Sequence, residues 1–166
     1  MEVARYLEIL HIFERLKNNT RHSYTSANRK ESVAEHSHRL AVMAYFVKDE
    51  FPEVDIQKVV LMCLFHDIGE AFTGDIPCFE KTNSDEELES QKVSAFLNSL
   101  PLPYKTELEK LFEEMEALKT DEARLYKVLR GERRRFLMYP PLNGRLHSAM
   151  FLIAVACRYK CMVALV

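Results

Sequence analysis

The segment Leu61–Pro77, which reads LMCLFHDIGEAFTGDIP, decides the fold. An apolar run ends at His66 and Asp67, and the carboxylates of Glu70 and Asp75 follow within ten positions. Burying such charged groups is costly unless they are paired or coordinate a metal. The segment therefore predicts half of a metal site, and the other half is expected on helices before and after it.

The composition around this segment is that of a soluble globular protein. The chain has 166 residues, of which 48% are hydrophobic and 29% are charged, so one domain with a real core is expected. Only four glycines and six prolines favour helices over a turn-rich β protein. A net charge of -2 predicts no nucleic-acid partner. No apolar run reaches the roughly 18 residues of a membrane span, so no membrane partner is expected.

The cysteines and the N-terminus suggest a compartment. The four cysteines, Cys63, Cys78, Cys157 and Cys161, form no CxxC pair. We interpret them as reduced thiols, which are typical of a cytoplasmic protein. The first ten residues are acidic and amphipathic and do not resemble a signal peptide.

Helical patterns precede the central segment. Apolar spacing predicts a first helix over residues 3–17. Ser32 and Glu35 form a capping-box pattern that opens a second helix. One face of that helix carries His36, Leu40, Met43 and Val47. His36 therefore points inward and His38 does not, but a lone inward histidine is either a core residue or a ligand.

The connection between these two helices, KNNTRHSYTSANRK over residues 17–30, is polar and basic. It contains Arg21, His22, Arg29 and Lys30 and little apolar content. Two interpretations stay open, a solvated connection and a basic loop that meets an anionic substrate.

Further helices are expected from the central segment onward. The run over residues 56–68 is apolar almost all round, which indicates a buried helix that ends near Gly69. The later helices are predicted over 84–100 with a capping box from Ser84 to Glu87, over 104–118, and over 121–130 with Thr120 or Asp121 as the cap.

The character of the chain changes after Arg130. Residues 131–166 contain six basic residues and one acidic residue, and the helical periodicity is lost. Two short apolar runs, AMFLIAVAC and CMVALV, lie in this part. We predict a domain over residues 1–130 and an atypical tail over 131–166, to which no structure is assigned.

Two blocks carry a family resemblance. ESVAEHSHRLAVMAYFV and LMCLFHDIGEAFTGDIP, taken together, resemble the HD-domain metal-dependent phosphohydrolases. Within that family the chain is similar to the branch of 5′-deoxynucleotidases, over residues 1 to about 129. The resemblance implies an all-α fold, an HD-domain helical bundle with the metal site at its centre. It also implies hydrolysis of phosphate from (deoxy)nucleoside 5′-monophosphates.

The resemblance implies a metal site and its ligands. His36, His66 and Asp67 correspond to ligands of a divalent ion, which could be Mn, Co, Fe, Mg or Zn. A mixed histidine and carboxylate set with open positions suits a metal that activates water.

The resemblance also implies the remaining site residues. Glu70 would orient or deprotonate the attacking water, and Asp75 would be a second catalytic or sugar-contacting carboxylate. Arg21 and His22 would hold the phosphate and sugar of the substrate. Relatives are often dimers, so a homodimer is the assembly expected.

The chain departs from the family at Arg130. The run Glu122–Leu129, EARLYKVL, matches the family motif that precedes an aspartate ligand, but the next residue here is arginine. A guanidinium only donates hydrogen bonds and cannot bind a cation. Our hypothesis is that the chain beyond about Leu129 is an altered tail, and that metal binding is weakened.

Three functions follow from these patterns. The first is a metal-dependent phosphohydrolase that acts on nucleoside monophosphates. The second is a catalytically impaired HD domain that binds a nucleotide or a protein partner without turnover, for which Arg130 is the discriminating feature. The third is a helical interaction domain in which His66 and Asp67 are structural.

Overall fold

A computed structural model describes residues 1–77 and 80–131 of the chain. These residues form helices joined by short connections, and the predicted all-α class is confirmed. The helices are α1 (Val3–Asn18), α2 (Val33–Phe46), α3 (Ile56–Phe65), α4 (Glu70–Thr73), α5 (Asn83–Asn98), α6 (Tyr104–Ala117) and α7 (Asp121–Leu129), with a 3-10 turn over Lys48–Glu50. Two short strands, β1 (Thr20–Tyr24) and β2 (Lys30–Ser32), complete this part of the chain.

The chain divides into two compact units, and the first comprises Met1–Ser37 and Phe65–Leu111. Aromatic rings from α1, α4, α5 and the end of α3 pack against one another in this unit. The ring centroids of Phe13 and Phe65 lie 5.5 Å apart, and those of Phe72 and Phe96 lie 6.3 Å apart. This packing fixes α4, the short helix that begins with Glu70.

The second unit comprises His38–Leu64 and the described residues from Phe112 onward. Its buried residues are Leu40, Ala44, Val47, Phe51, Val59, Met62, Cys63, Met115, Ala123, Leu125, Tyr126 and Leu129. The amide of Asp55 donates to Oε1 of Glu122 over 3.0 Å, which joins the beginnings of α3 and α7. Burial raises the pKa of the Cys63 thiol to about 12, so this thiol is unreactive at neutral pH.

The predicted capping box at the start of α2 is confirmed. The amide of Glu35 donates to Oγ of Ser32 over 3.2 Å, and the amide of Ser32 donates to Oε2 of Glu35 over 2.9 Å. Arg29 binds the same carboxylate. The Arg29 bond is the main cause that lowers the pKa of Glu35 to about 2.

The polar connection over residues 17–30 is more regular than expected. Strands β1 and β2 pair in antiparallel fashion, with Thr20 opposite Ser32 and Tyr24 opposite Lys30. Side chains of β1 alternate between exposed and half-buried positions, as a strand with one solvated face requires. No strand was predicted in this connection, because its period-2 pattern is built from polar residues.

Two helix boundaries also differ from the expectation. Helix α3 ends at Phe65, and Gly69 precedes α4 with φ −55°, so it does not end a helix in the left-handed conformation. The capping box of α5 is formed by Thr82 and Asp85, not by Ser84 and Glu87. The cap of α7 was predicted to be Thr120 or Asp121. It is Thr120, whose hydroxyl accepts from the amide of Ala123.

Two further observations concern membrane spans and the residues that the structure does not describe. Within residues 1–77 and 80–131, no helix has the length and apolarity that crossing a membrane requires. The predictions for the tail over 131–166 and for Cys78, Cys157 and Cys161 lie outside the described residues, apart from Gly131.

Candidate metal centre

The candidate ligands come from the first turn of α2 and from the turn that follows α3. His36 lies on the inward face of α2 and is 2% exposed, whereas His38 is exposed. After Phe65 the backbone forms a tight turn, in which the amide of Ile68 donates to the carbonyl of Phe65 over 3.1 Å. This turn directs His66 and Asp67 into the interior of the first unit.

The structure brings His36, His66 and Asp67 together. Nε2 of His66 lies 2.9 Å from Oδ2 of Asp67, and Nε2 of His36 lies 3.9 Å from the same oxygen. The two imidazole ring centroids are 5.5 Å apart. One donor atom from each residue lies within 4.8 Å of the others. The side chains are 1–3% exposed, so the cluster is shielded from water.

This geometry fits a divalent cation. Imidazole nitrogens and carboxylate oxygens bind metals at about 2.0–2.2 Å, so two donors of one ion lie at most about 4.4 Å apart. The observed spacings of 2.9 and 3.9 Å fall within that limit. The third spacing, between the donor atoms of His36 and His66, is at most 4.8 Å, so these atoms would have to approach each other only slightly. Two neutral donors and one carboxylate also leave coordination positions open for water or substrate.

Arg21 lies at the edge of this cluster. Its Nη1 donates to Oδ2 of Asp67 over 3.0 Å, which joins strand β1 to the turn after α3. Nε of Arg21 is buried and has no hydrogen-bond partner within the part of the chain that the structure describes. Adjacent side chains of a strand point to opposite faces, and His22 is exposed. The structure therefore brings Arg21 to the cluster and does not bring His22 there.

Glu70 begins α4 and is 8% exposed. Its Oε2 is buried and accepts no hydrogen bond from the described residues. Burial, followed by the charges of Asp67 and Asp75, raises the pKa of Glu70 to about 9. The carboxylates of Asp67, Glu70 and Asp75 thus lie close enough to interact, together with the guanidinium of Arg21. A cation would stabilise this arrangement.

Two residues that the sequence pattern did not indicate hold α4 in place. The side-chain amide of Asn19 donates to the carbonyl of Glu70, and the carbonyl of Asn19 accepts from the amide of Val33 over 2.9 Å. On the other side, Glu89 of α5 lies against Gly69. A contact with a backbone carbonyl leaves no periodic signal in a sequence, which is why Asn19 was missed.

Comparisons with known proteins identify relatives of this chain. The chain is 30% identical over 135 residues to 5′-deoxynucleotidase HDDC2 of Dictyostelium discoideum, covering 75% of this chain and 71% of that protein. It is 32% identical over 108 residues to human 5′-deoxynucleotidase HDDC2, covering 64% of this chain and 52% of that protein. The chain thus spans about half the length of the human relative.

A solved structure shows the same fold. It is described as a predicted metal-dependent phosphohydrolase from Magnetospirillum magnetotacticum MS-1, with a TM-score of 0.68 and 29% identity. The likeness covers 77% of this chain and 66% of that one. The sequence profile of the HD domain matches residues 13–139. This match spans most of the chain and includes every residue of the cluster, and the chain therefore belongs to the HD domain family.

Proposed function

We propose that the chain hydrolyses the phosphate ester of (deoxy)nucleoside 5′-monophosphates in a reaction that requires a divalent cation. The observation that carries this proposal is the buried cluster of His36, His66 and Asp67, with Arg21 bound to its carboxylate. The substrate class is supported by the relatives named 5′-deoxynucleotidase.

His36, His66 and Asp67 would hold the cation. Bound there, it would lower the pKa of a water molecule and offset negative charge on the phosphoryl oxygens. Manganese, cobalt, iron, magnesium and zinc are all candidates. The three side chains are only 1–3% exposed, and this burial strengthens each charge interaction with the substrate.

With a cation bound nearby, which would favour its ionised form, Glu70 would orient the attacking water and accept its proton. The water oxygen forms a bond to phosphorus, the bond from phosphorus to the 5′ oxygen breaks, and the nucleoside leaves with a proton. The carboxylate of Asp75 acts on Glu70 electrostatically in this structure, and we assign it as a second catalytic or sugar-contacting group. The chain performs this chemistry by positioning and electrostatics, without a covalent intermediate.

Arg21 would bind the phosphate. Its Nη1 is held by Asp67, while its buried Nε lacks a partner in the described part of the chain, and a phosphoryl oxygen would satisfy that donor. His22 is assigned to the substrate on the family resemblance alone, since its exposed side chain is on the other face of β1.

Phosphate release from a panel of deoxynucleoside monophosphates, with manganese or cobalt added, tests the proposal. The parent chain is expected to release phosphate. His36→Ala should abolish the release, and His38→Ala, on the exposed face of the same helix, should leave it unchanged. Release by His36→Ala at the parent rate would contradict the proposal.

The runner-up function is binding of a nucleotide without turnover. The observation that favours it is Arg130, which follows α7 where the family motif is followed by an aspartate ligand. A silent parent chain together with phosphate release by Arg130→Asp would locate the defect at a missing fourth ligand. A silent folded parent and a silent Arg130→Asp would favour binding alone.

We also propose that the chain forms a homodimer and is located in the cytoplasm. Its partner would be a small-molecule nucleotide, and it would not bind nucleic acid. The free, buried thiol of Cys63 supports the compartment, and the net charge of -2 supports the absence of nucleic acid. The homodimer rests on the family resemblance alone. Light scattering of the purified chain tests the dimer, since a mass of 19.4 kDa would show a monomer instead.

A further inference from the structure

We propose that Glu89, held by Lys81, is a positioning residue that fixes α4 and thereby aims the carboxylate of Glu70. Glu89 lies on α5 and has no place among the metal-binding, substrate-binding or proton-transfer residues discussed above. The activity arm of its test rests on the proposed function, and a second arm does not.

The first observation is the contact between Glu89 and Gly69. Gly69 directly precedes α4, and a Cβ added to it would lie 2.5 Å from Cγ and 2.8 Å from Oε1 of Glu89. Real Cβ atoms do not approach other atoms so closely. The side chain of Glu89 therefore lies on the backbone at the start of α4, one residue before Glu70.

The second observation is the ion pair between Lys81 and Glu89. Nζ of Lys81 binds Oε2 of Glu89, and the two side chains are 25% and 20% exposed. Lys81 follows the segment that contains Asp75, so the pair joins that segment to α5. The carboxylate of Glu89 is thus fixed by Lys81 on one side and by the backbone of Gly69 on the other.

The third observation is electrostatic. Burial is the main cause that raises the pKa of Glu70, and the charge of Glu89 is a smaller contribution in the same direction. The charge of Glu70 in turn acts on Lys81. The ion pair is therefore close enough to affect both the position and the ionisation of Glu70.

A purely stabilising role explains these contacts less well. Ion pairs that stay partly in contact with solvent contribute little to stability. The neighbouring acidic residues Glu86 and Glu87 are exposed on the same helix, whereas Glu89 is turned inward against a backbone. An apolar side chain would fill that place without desolvating a carboxylate.

The activity arm compares Glu89→Ala and Lys81→Ala with Glu87→Ala, the exposed control on α5. We expect Glu89→Ala to lower kcat about 10- to 100-fold, because a displacement of about 1 Å at a reacting group has that effect. KM should change less than kcat, since Arg21, the proposed phosphate contact, lies on β1. Glu89→Gln, which keeps the shape and still accepts from Lys81, should recover most of the activity.

The double variant Lys81→Ala/Glu89→Ala tests whether Lys81 acts through Glu89. If it does, the double variant is no slower than Glu89→Ala alone. Additive losses, or losses of kcat that follow the fraction of folded protein, would overturn the positioning role.

The second arm is amide hydrogen exchange, which needs no activity. The amides of Phe72 and Gly74 donate to the carbonyls of Gly69 and Glu70 over 2.9 Å each. We expect Glu89→Ala to speed exchange in residues 70–74, and Glu87→Ala to leave it unchanged. Equal exchange in the two variants would refute the proposal. A parent chain that releases no phosphate would refute the proposed function instead, and exchange would still decide the role of Glu89.

Discussion

Replacement of Glu70 by glutamine should stabilise the cation-free protein while it removes the activity. Glu70 is 8% exposed, and its Oε2 accepts no hydrogen bond from the described residues. Burial and the charges of Asp67 and Asp75 raise its pKa from an ordinary value of 4.5 to about 9. Glutamine has nearly the same shape and does not carry the charge.

The magnitude follows from proton linkage. Below pH 4.5 Glu70 is protonated in both the folded and the unfolded chain, so it has no effect on stability. Between pH 4.5 and 9 only the unfolded chain is ionised, and the free energy of unfolding falls as the pH rises. The loss is about 1.4 kcal/mol for each pH unit, or about 3 kcal/mol at pH 7.

Urea denaturation in the presence of a chelator measures this effect. We expect Glu70→Gln to be more stable than the parent by about 3 kcal/mol at pH 7 and equal to it at pH 4. Glu87→Gln, the exposed control, should change neither value. Phosphate release by Glu70→Gln should fall about 10²- to 10⁴-fold. An equal stability gain at both pH values, or none at pH 7, would refute the reasoning.

Four further predictions concern the site and its surroundings. Gly69→Ala should lower the free energy of unfolding by about 1–3 kcal/mol in urea denaturation, because its Cβ would overlap Glu89, and Glu89→Ala should relieve part of that loss. Ser32→Ala should lower the free energy of unfolding by about 1 kcal/mol in urea denaturation, because the cap of α2 is lost. Because its pKa is lowered to about 2, the stability that Glu35 contributes is present above pH 4.5 and is lost as the pH falls toward 2. Manganese at 100 times its Kd should stabilise the parent by about 2.7 kcal/mol in thermal denaturation, and a similar shift in Asp67→Asn would count against the proposed ligand set.

The sequence predicted most of what positions the site. Helical spacing placed His36 on the inward face of α2 and His38 outside, and the structure agrees. The capping box of Ser32 and Glu35 was readable because its two hydrogen bonds are local. The convergence of His36 with Asp67 was expected from the family resemblance, since no local pattern reports a contact between residues 31 positions apart.

Other features depended on contacts that a sequence does not display. The strand pair was missed because β1 alternates polar residues, and its inward Ser23 is satisfied by the buried Glu31 over 2.7 Å. The glycine at position 69 was interpreted as a helix end, but the space it leaves is filled by Glu89 from a later helix. The first contact involves a buried carboxylate, Glu31, and the second a residue twenty positions away, Glu89. Neither is visible in the local sequence pattern.

The most direct test of the central claim is calorimetric titration of manganese and cobalt into the cation-free chain, alongside His36→Ala and His38→Ala. The cluster of His36, His66 and Asp67 predicts one binding site in the parent and in His38→Ala, and its loss in His36→Ala. Equal binding by all three proteins, or no binding by the folded parent, would contradict the assignment of this cluster as a metal centre.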